Sequence, residues 1–125
     1  MVYETKATTM SDYHEPYSEL DERTRDLHRA LTSLKEEIEA VDWYHQRVAL
    51  CDDPVLKKVL AHNRDEEIEH ACMTLEWLRR NVPEWETHLK AYLFSESADI
   101  TQATSADSAA SSTLGIGSLK KGTVT

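Results

Sequence analysis

The sequence predicts an all-α chain, built as an antiparallel two-helix hairpin followed by a short third helix. Two observations carry that expectation. The first 114 of the 125 residues contain no glycine, the commonest breaker of regular structure, since Gly115, Gly117 and Gly122 all lie near the C-terminus. Apolar side chains between Leu27 and Leu93 recur every three, four or seven positions, which aligns them on one face of a helix and would scatter them over both faces of a strand. Pro16, Pro54 and Pro83 then divide the body into two long pieces and one short piece.

Residues 1–17 are polar, show no usable period and are expected to form a flexible N-terminal segment. The first helix is expected to begin near Ser18, whose hydroxyl suits an N-cap, with Asp21 three residues on as the reciprocal half of a capping box. Leu27, Leu31, Leu34, Ile38, Val41 and Val48 form one buried stripe running to about Cys51, and Glu37 and Tyr44 lie on that same stripe. At Asp52-Asp53-Pro54, Asp53 is a good N-cap and Pro54 suits the first helical position; so short a connection favours an antiparallel neighbour. The second helix carries Val55, Leu56, Val59, Leu60, Ala71, Leu75 and Leu78 and stops at about Asn81, before Val82-Pro83. A third helix over Pro83–Phe94 places Trp85, Leu89, Tyr92 and Leu93 at helical spacings, to fold back or to dock on a neighbouring chain. The helical domain thus spans 18–94.

Residues 95–113 hold a single large apolar side chain, too little to offset the entropy of ordering, and read as a disordered linker. Hydrophobicity returns at Leu114-Gly-Ile-Gly-Ser-Leu-Lys-Lys, so residues 114–125 read as a tethered docking peptide and tail.

A net charge of −9 argues against a nucleic-acid binder, which needs a basic phosphate-contacting surface. No uninterrupted apolar run exceeds four residues and the N-terminus has no secretory pattern, so neither a membrane span nor export is expected. Cys51 and Cys72 then read as reduced thiols of a cytoplasmic protein, in a spacing that matches no zinc motif. A chain this small buries a modest fraction of its surface, and partner chains are expected to complete its core.

The chemistry-bearing pattern is Glu67-x-x-His70, because residues i and i+3 on a helix project side by side and can hold one metal ion. In so acidic a chain the motif alone is weak. Counting outward from the turn at Asp52-Asp53, however, Glu37 and Glu67 fall level to within roughly 1.5 Å, so a carboxylate of the first helix faces the Glu/His pair of the second. Glu37 also occupies an apolar stripe where an unpaired carboxylate is costly. Ferritin-like di-iron proteins use one Glu from each of two helices and a Glu-x-x-His from each of two others, all projecting into a four-helix core. This chain holds half that inventory, as half of a ferritin-like four-helix bundle completed by dimerisation. Two Glu37, two Glu67 and two His70 would hold a di-iron centre, Fe2+/Fe3+, at the subunit interface, although Mn2+ and Zn2+ suit the same donors. Tyr44, one heptad after Glu37, reads as core or as a hydrogen-bonding neighbour of the metals. Glu36, Glu39, Glu66 and Glu69 are either a solvated face or an acidic approach that concentrates Fe2+.

At Glu36-Glu-Ile-Glu-Ala-Val-Asp-Trp-Tyr44 and at Leu60-Ala-His-Asn-Arg-Asp-Glu-Glu-Ile-Glu-His-Ala-Cys-Met-Thr-Leu-Glu-Trp-Leu-Arg-Arg80 the chain closely resembles the encapsulated ferritins over most of 24–94. Its terminal Leu114-Gly-Ile-Gly-Ser-Leu-Lys-Lys121 resembles the peptide that directs cargo into encapsulin shells, with Leu114, Ile116, Gly117, Ser118 and Leu119 as the targeting residues. The resemblance implies a ferroxidase with Glu37, Glu67, His70 and Tyr44 in the catalytic positions, paired across a subunit interface. It further implies that Glu36, Glu39 and Trp43 match an iron-approach site and that His62, Glu66 and Glu69 match secondary metal contacts. An open ring of ten subunits inside an encapsulin nanocompartment is implied too, the shell storing the mineral. Ile68 and Cys72 depart from the family's pattern, which has a charged and a small residue there, and neither removes a ligand.

The function expected is oxidation of Fe2+ to Fe3+ with dioxygen. Its alternative is a non-enzymatic helical scaffold or cargo adaptor with a docking tail. A rubrerythrin-like oxidase is disfavoured, because one chain supplies half the ligands and no Cys-x-x-Cys module is present.

Overall fold

A computed structural model describes residues 12–102, and among these every regular element is helical. Three α-helices follow a 3-10 turn at Tyr17–Glu19: α1 over Glu22–Leu50, α2 over Pro54–Asn81 and α3 over Pro83–Tyr92, with a second 3-10 turn at Ile100–Gln102. No described helix is long and apolar enough to cross a membrane.

The start of α1 differs from the sequence expectation. Asp21, not Ser18, is the N-cap: its carboxylate accepts the backbone N–H of Thr24 at 2.7 Å. A charged oxygen is a stronger acceptor for the free amides of a first turn than a hydroxyl. Upstream, the Arg25 guanidinium lies 4.1 Å above the Tyr17 ring and donates to the Tyr17 carbonyl at 2.8 Å, which holds Tyr17–Glu19 as a separate turn. Tyr13 stacks on His28 at 4.0 Å and meets Tyr17 edge-on, so the described end of the N-terminal segment lies along the first turns of α1.

The connection to α2 follows the local chemistry. Asp53 accepts the amides of Val55 at 2.9 Å and Leu56 at 3.0 Å, and Pro54 occupies the first helical position, where its missing N–H leaves no donor unsatisfied. Replacing Asp53 by alanine is expected to cost about 1 kcal/mol, read as a lower denaturation midpoint with an unchanged denaturant slope.

Chain residues 12–74 form one compact unit, the hairpin of α1 and the first part of α2. The helices run antiparallel: Arg64 bonds His45 at 3.1 Å, while further along, His70 stands 3.7 Å from Glu37. Leu27, Leu34, Val41 and Val48 are half-buried, as the stripe requires, but Leu31 and Ile38 are exposed. Seven residues apart, they sit together at the edge of the stripe, where α2 does not cover them. On α2 another exposed stripe holds Val55, Val59, Met73 and Trp77, with His62, Glu66 and His70 among them at the same helical spacing.

Residues 75–102 form a second compact unit, comprising the end of α2, α3 and the segment after it. Leu78 is fully buried, and Ala91 is its companion in the core. Alternating charges brace this unit: Arg80 and Arg79 both hold Glu76, Arg79 reaches Glu86 at 3.1 Å, and Lys90 holds Glu86 at 3.0 Å. Hydrogen bonds first from Arg79 and then from Arg80 pull the Glu76 carboxyl down to about 2 from its ordinary 4.5. A depressed carboxylate contributes stability above its unfolded value and loses it as pH falls through the folded one. The advantage of the native chain over Glu76→Gln in thermal melts is therefore expected to be intact above about pH 4.5 and to vanish towards pH 2, and to shrink with added salt because these groups are exposed.

Helix α3 ends at Tyr92, two residues before the expected Phe94. Phe94 has φ 57° and a fully exposed side chain, in the left-handed position after a helix that glycine usually takes. Beyond it, Asp99 accepts the backbone N–H and hydroxyl of Thr101 within the linker region, of which residues 103–113 lie outside the described residues.

Candidate metal centre

Glu37 enters the hairpin from α1, while Glu67 and His70 enter from α2, one helical turn apart. The His70 Nδ1 is 3.5 Å from a Glu67 oxygen and 3.7 Å from a Glu37 oxygen, and one donor atom from each residue lies within 4.8 Å of the other two. Donors around a first-row metal ion at about 2.1 Å stand roughly 3 Å apart when cis and 4.2 Å when trans, so the three converge on a volume the size of one ion. Among the described residues this is the one group of three or more potential ligands that does so.

The electrostatics fit a site built to receive positive charge. The Glu37 carboxyl titrates above its ordinary range, first because it shares a hydrogen bond with Glu67, then because burial and the Glu67 charge disfavour a second anion; His70 acts in the opposite direction. Two carboxylates facing each other in a half-buried cleft disfavour a second negative charge, a cost that a bound cation offsets. The side chains of Glu37 and Glu67 are 26% and 23% exposed, whereas Glu36, Glu39, Glu66 and Glu69 lie open on the outer faces.

His62 and Glu66 meet at 2.9 Å, both exposed, two turns and one turn before His70 respectively. Tyr44 is half-buried one heptad after Glu37, with the Arg47 guanidinium 5.0 Å over its ring, and stands outside the group of three converging ligands. Glu36, Glu39 and Trp43 share one exposed face of α1, and Trp43 borders a cavity with Gln46 and Arg47. Leu114, Ile116, Gly117, Ser118 and Leu119 lie outside the described residues.

Sequence reasoning missed the Arg64–His45 bond across the hairpin, in which Arg64 also pairs with Asp65. The signal was present: counted from the turn, the two positions are offset by a few residues, within reach of an arginine side chain.

The helices that deliver the three converging ligands are the part of the chain that a known family shares. The EncFtn-like family model matches residues 12–96. The chain belongs to the EncFtn-like family. Two relatives extend the match. The chain is 50% identical over 129 aligned positions to an encapsulated ferritin-like protein of Rhodospirillum rubrum, covering 91% of each chain. It is 63% identical over 84 residues to a ferritin-like protein of Thermotoga maritima, covering 67% of this chain and 74% of that one. A crystal structure of a Nitrosomonas europaea protein superposes with a TM-score of 0.67 at 59% identity, covering 68% of this chain and 93% of the other. The EncFtn-like match includes α1, α2 and α3 entire, and with them Glu37, Glu67 and His70.

Proposed function

We propose that this EncFtn-like chain is a ferroxidase that acts as an oligomer, oxidising Fe2+ to Fe3+ with dioxygen at a di-iron site shared by two subunits. The observation that carries this reading is the convergence of Glu37, Glu67 and His70 within 4.8 Å. Carboxylates with one imidazole and positions left open suit Fe2+, which is the substrate here. Three protein ligands are half of what a ferritin-like di-iron site uses, and a two-fold partner doubles them. In that arrangement each Glu67/His70 pair would hold one iron, and the two Glu37 carboxylates would be shared between the irons.

Support for a partner comes from the surface. His70 lies among the exposed apolar residues Val59, Met73 and Trp77, so the face that would cover those residues also reaches the site. One dioxygen accepting two electrons from two Fe2+, with two protons, gives two Fe3+ and hydrogen peroxide. The chain's own part is to set two irons side by side. Tyr44 is read as a hydrogen-bonding neighbour, Glu36, Glu39 and Trp43 as the approach, and His62, Glu66 and Glu69 as secondary contacts.

The relatives' names support the setting. One is called encapsulated and both ferritin-like, consistent with a chain that works inside an encapsulin nanocompartment in the cytoplasm, recruited through Leu114–Leu119 and storing iron as mineral. A ring of ten subunits is the assembly proposed.

Anaerobic Fe2+ titration of the native oligomer, followed by exposure to oxygen, tests the reading. One tight iron per chain, two per dimer, followed by fast oxidation is the expected result. Absence of specific binding would leave a helical scaffold with a docking tail.

A further inference from the structure

Trp43, Gln46 and Arg47 line an open, shallow cavity of about 450 Å³ on α1. Its chemistry is unlike that of the acidic helix around it. Arg25, Arg29, Arg64, Arg79 and Arg80 each pair with a carboxylate, whereas Arg47 pairs with none among the described residues and rests on the Tyr44 ring at 5.0 Å. Its guanidinium edge therefore keeps its donors for a ligand. The Gln46 amide nitrogen donates to Asp42 at 3.1 Å, which leaves the amide oxygen as an acceptor. Trp43, 53% exposed, supplies an apolar wall.

A planar fork of donors, one acceptor and an indole face define a ligand with a carboxylate, a hydroxyl and a short carbon skeleton. We propose that this cavity binds a small hydroxycarboxylate anion, the carrier in which Fe2+ reaches the protein. Arg47 takes a carboxylate, the Gln46 oxygen accepts the ligand's hydroxyl, and Trp43 packs on its carbons. Glu39 and Glu36 stand one and two turns away on the same face as Trp43, placed to take the metal from the carrier by exchanging one carboxylate ligand for another. This delivery role rests on the ferroxidase reading; the binding itself does not.

The test uses citrate as the probe, titrated calorimetrically into the metal-free native oligomer and into Arg47→Gln and Arg47→Lys at matched oligomeric state. Citrate is expected to bind the native chain, with affinity lower by at least about tenfold in Arg47→Gln and intermediate in Arg47→Lys, where the charge remains without the fork. Tricarballylate, which is citrate without its hydroxyl, is expected to bind the native chain more weakly than citrate, and Gln46→Met is expected to erase that difference. Equal citrate affinity in Arg47→Gln, no citrate binding to the native chain, or phosphate binding as tightly as citrate would each overturn the assignment. Iron titration without citrate reports separately on the Glu37, Glu67 and His70 site, so failure of the ferroxidase reading leaves the citrate result standing and the reverse.

Discussion

Exchanging Glu37 for glutamine is expected to weaken Fe2+ binding by more than about 100-fold, removing fast oxidation, while raising the melting temperature of the metal-free protein at neutral pH. Both effects have one origin. In the metal-free chain the Glu37 carboxyl, hydrogen-bonded to Glu67 and half-buried, titrates above its ordinary 4.5. A folded-state value raised above the unfolded one contributes stability that is fully present below the unfolded value and is lost as pH rises through the folded value. Above that folded-state value two carboxylates therefore repel each other across the hairpin. Glutamine keeps the shape and the hydrogen bond to Glu67 without the second charge. Melts at a fixed protein concentration, from about pH 4 to 8, should show Glu37→Gln gaining on the native chain as pH rises and losing the advantage below about pH 4.5. Anaerobic titration of the same samples reads the loss of iron. A glutamine variant that binds and oxidises iron like the native chain would remove Glu37 from the site, and Glu67→Ala and His70→Ala should lose oxidation in parallel.

Placing a charge on the exposed stripe of α2 should be as damaging without touching a ligand. Val59→Glu and Met73→Glu alter side chains that are half or more exposed in the single chain, so neither leaves a cavity there. Both lie on the face that His70 shares. Burying an unpaired carboxylate against a partner costs several kcal/mol, by about the amount that holds a modest interface together. The expected result is a smaller species by light scattering, with helix content retained and iron oxidation gone. Native specific activity should fall on dilution as the oligomer dissociates. Variants that remain oligomeric and oxidise iron at the native rate would place the partner contact elsewhere.

The elements most legible in the sequence were those fixed by local chemistry. Asp53-Pro54 and Asn81-Val82-Pro83 bound their helices where expected, because capping and proline geometry act within a few residues. The level pairing of Glu37 with Glu67 and His70 was legible for a different reason: an antiparallel hairpin with a short turn leaves little freedom in register. Asp21, expected as the reciprocal partner of a Ser18 cap, is itself the cap, and sequence alone did not show this because the Arg25 contacts with Tyr17 that hold the first turn apart are tertiary. Leu31 and Ile38 share the period of the buried stripe, and their exposure follows from how far the neighbouring helix reaches, which periodicity does not encode. The Arg64–His45 bond and the cavity beside Trp43 depend on where long polar side chains end, a matter of rotamers rather than spacing.

The division of the ligands bears on when the chemistry begins. Glu37, Glu67 and His70 sit together in one chain, yet they are half of a ferritin-like set. On the proposed reading, a half-site that pairs only on assembly is an interlock: a newly made chain, dilute and single, would have no means of turning over iron. Peroxide from the proposed reaction would then arise only where the particle has already formed.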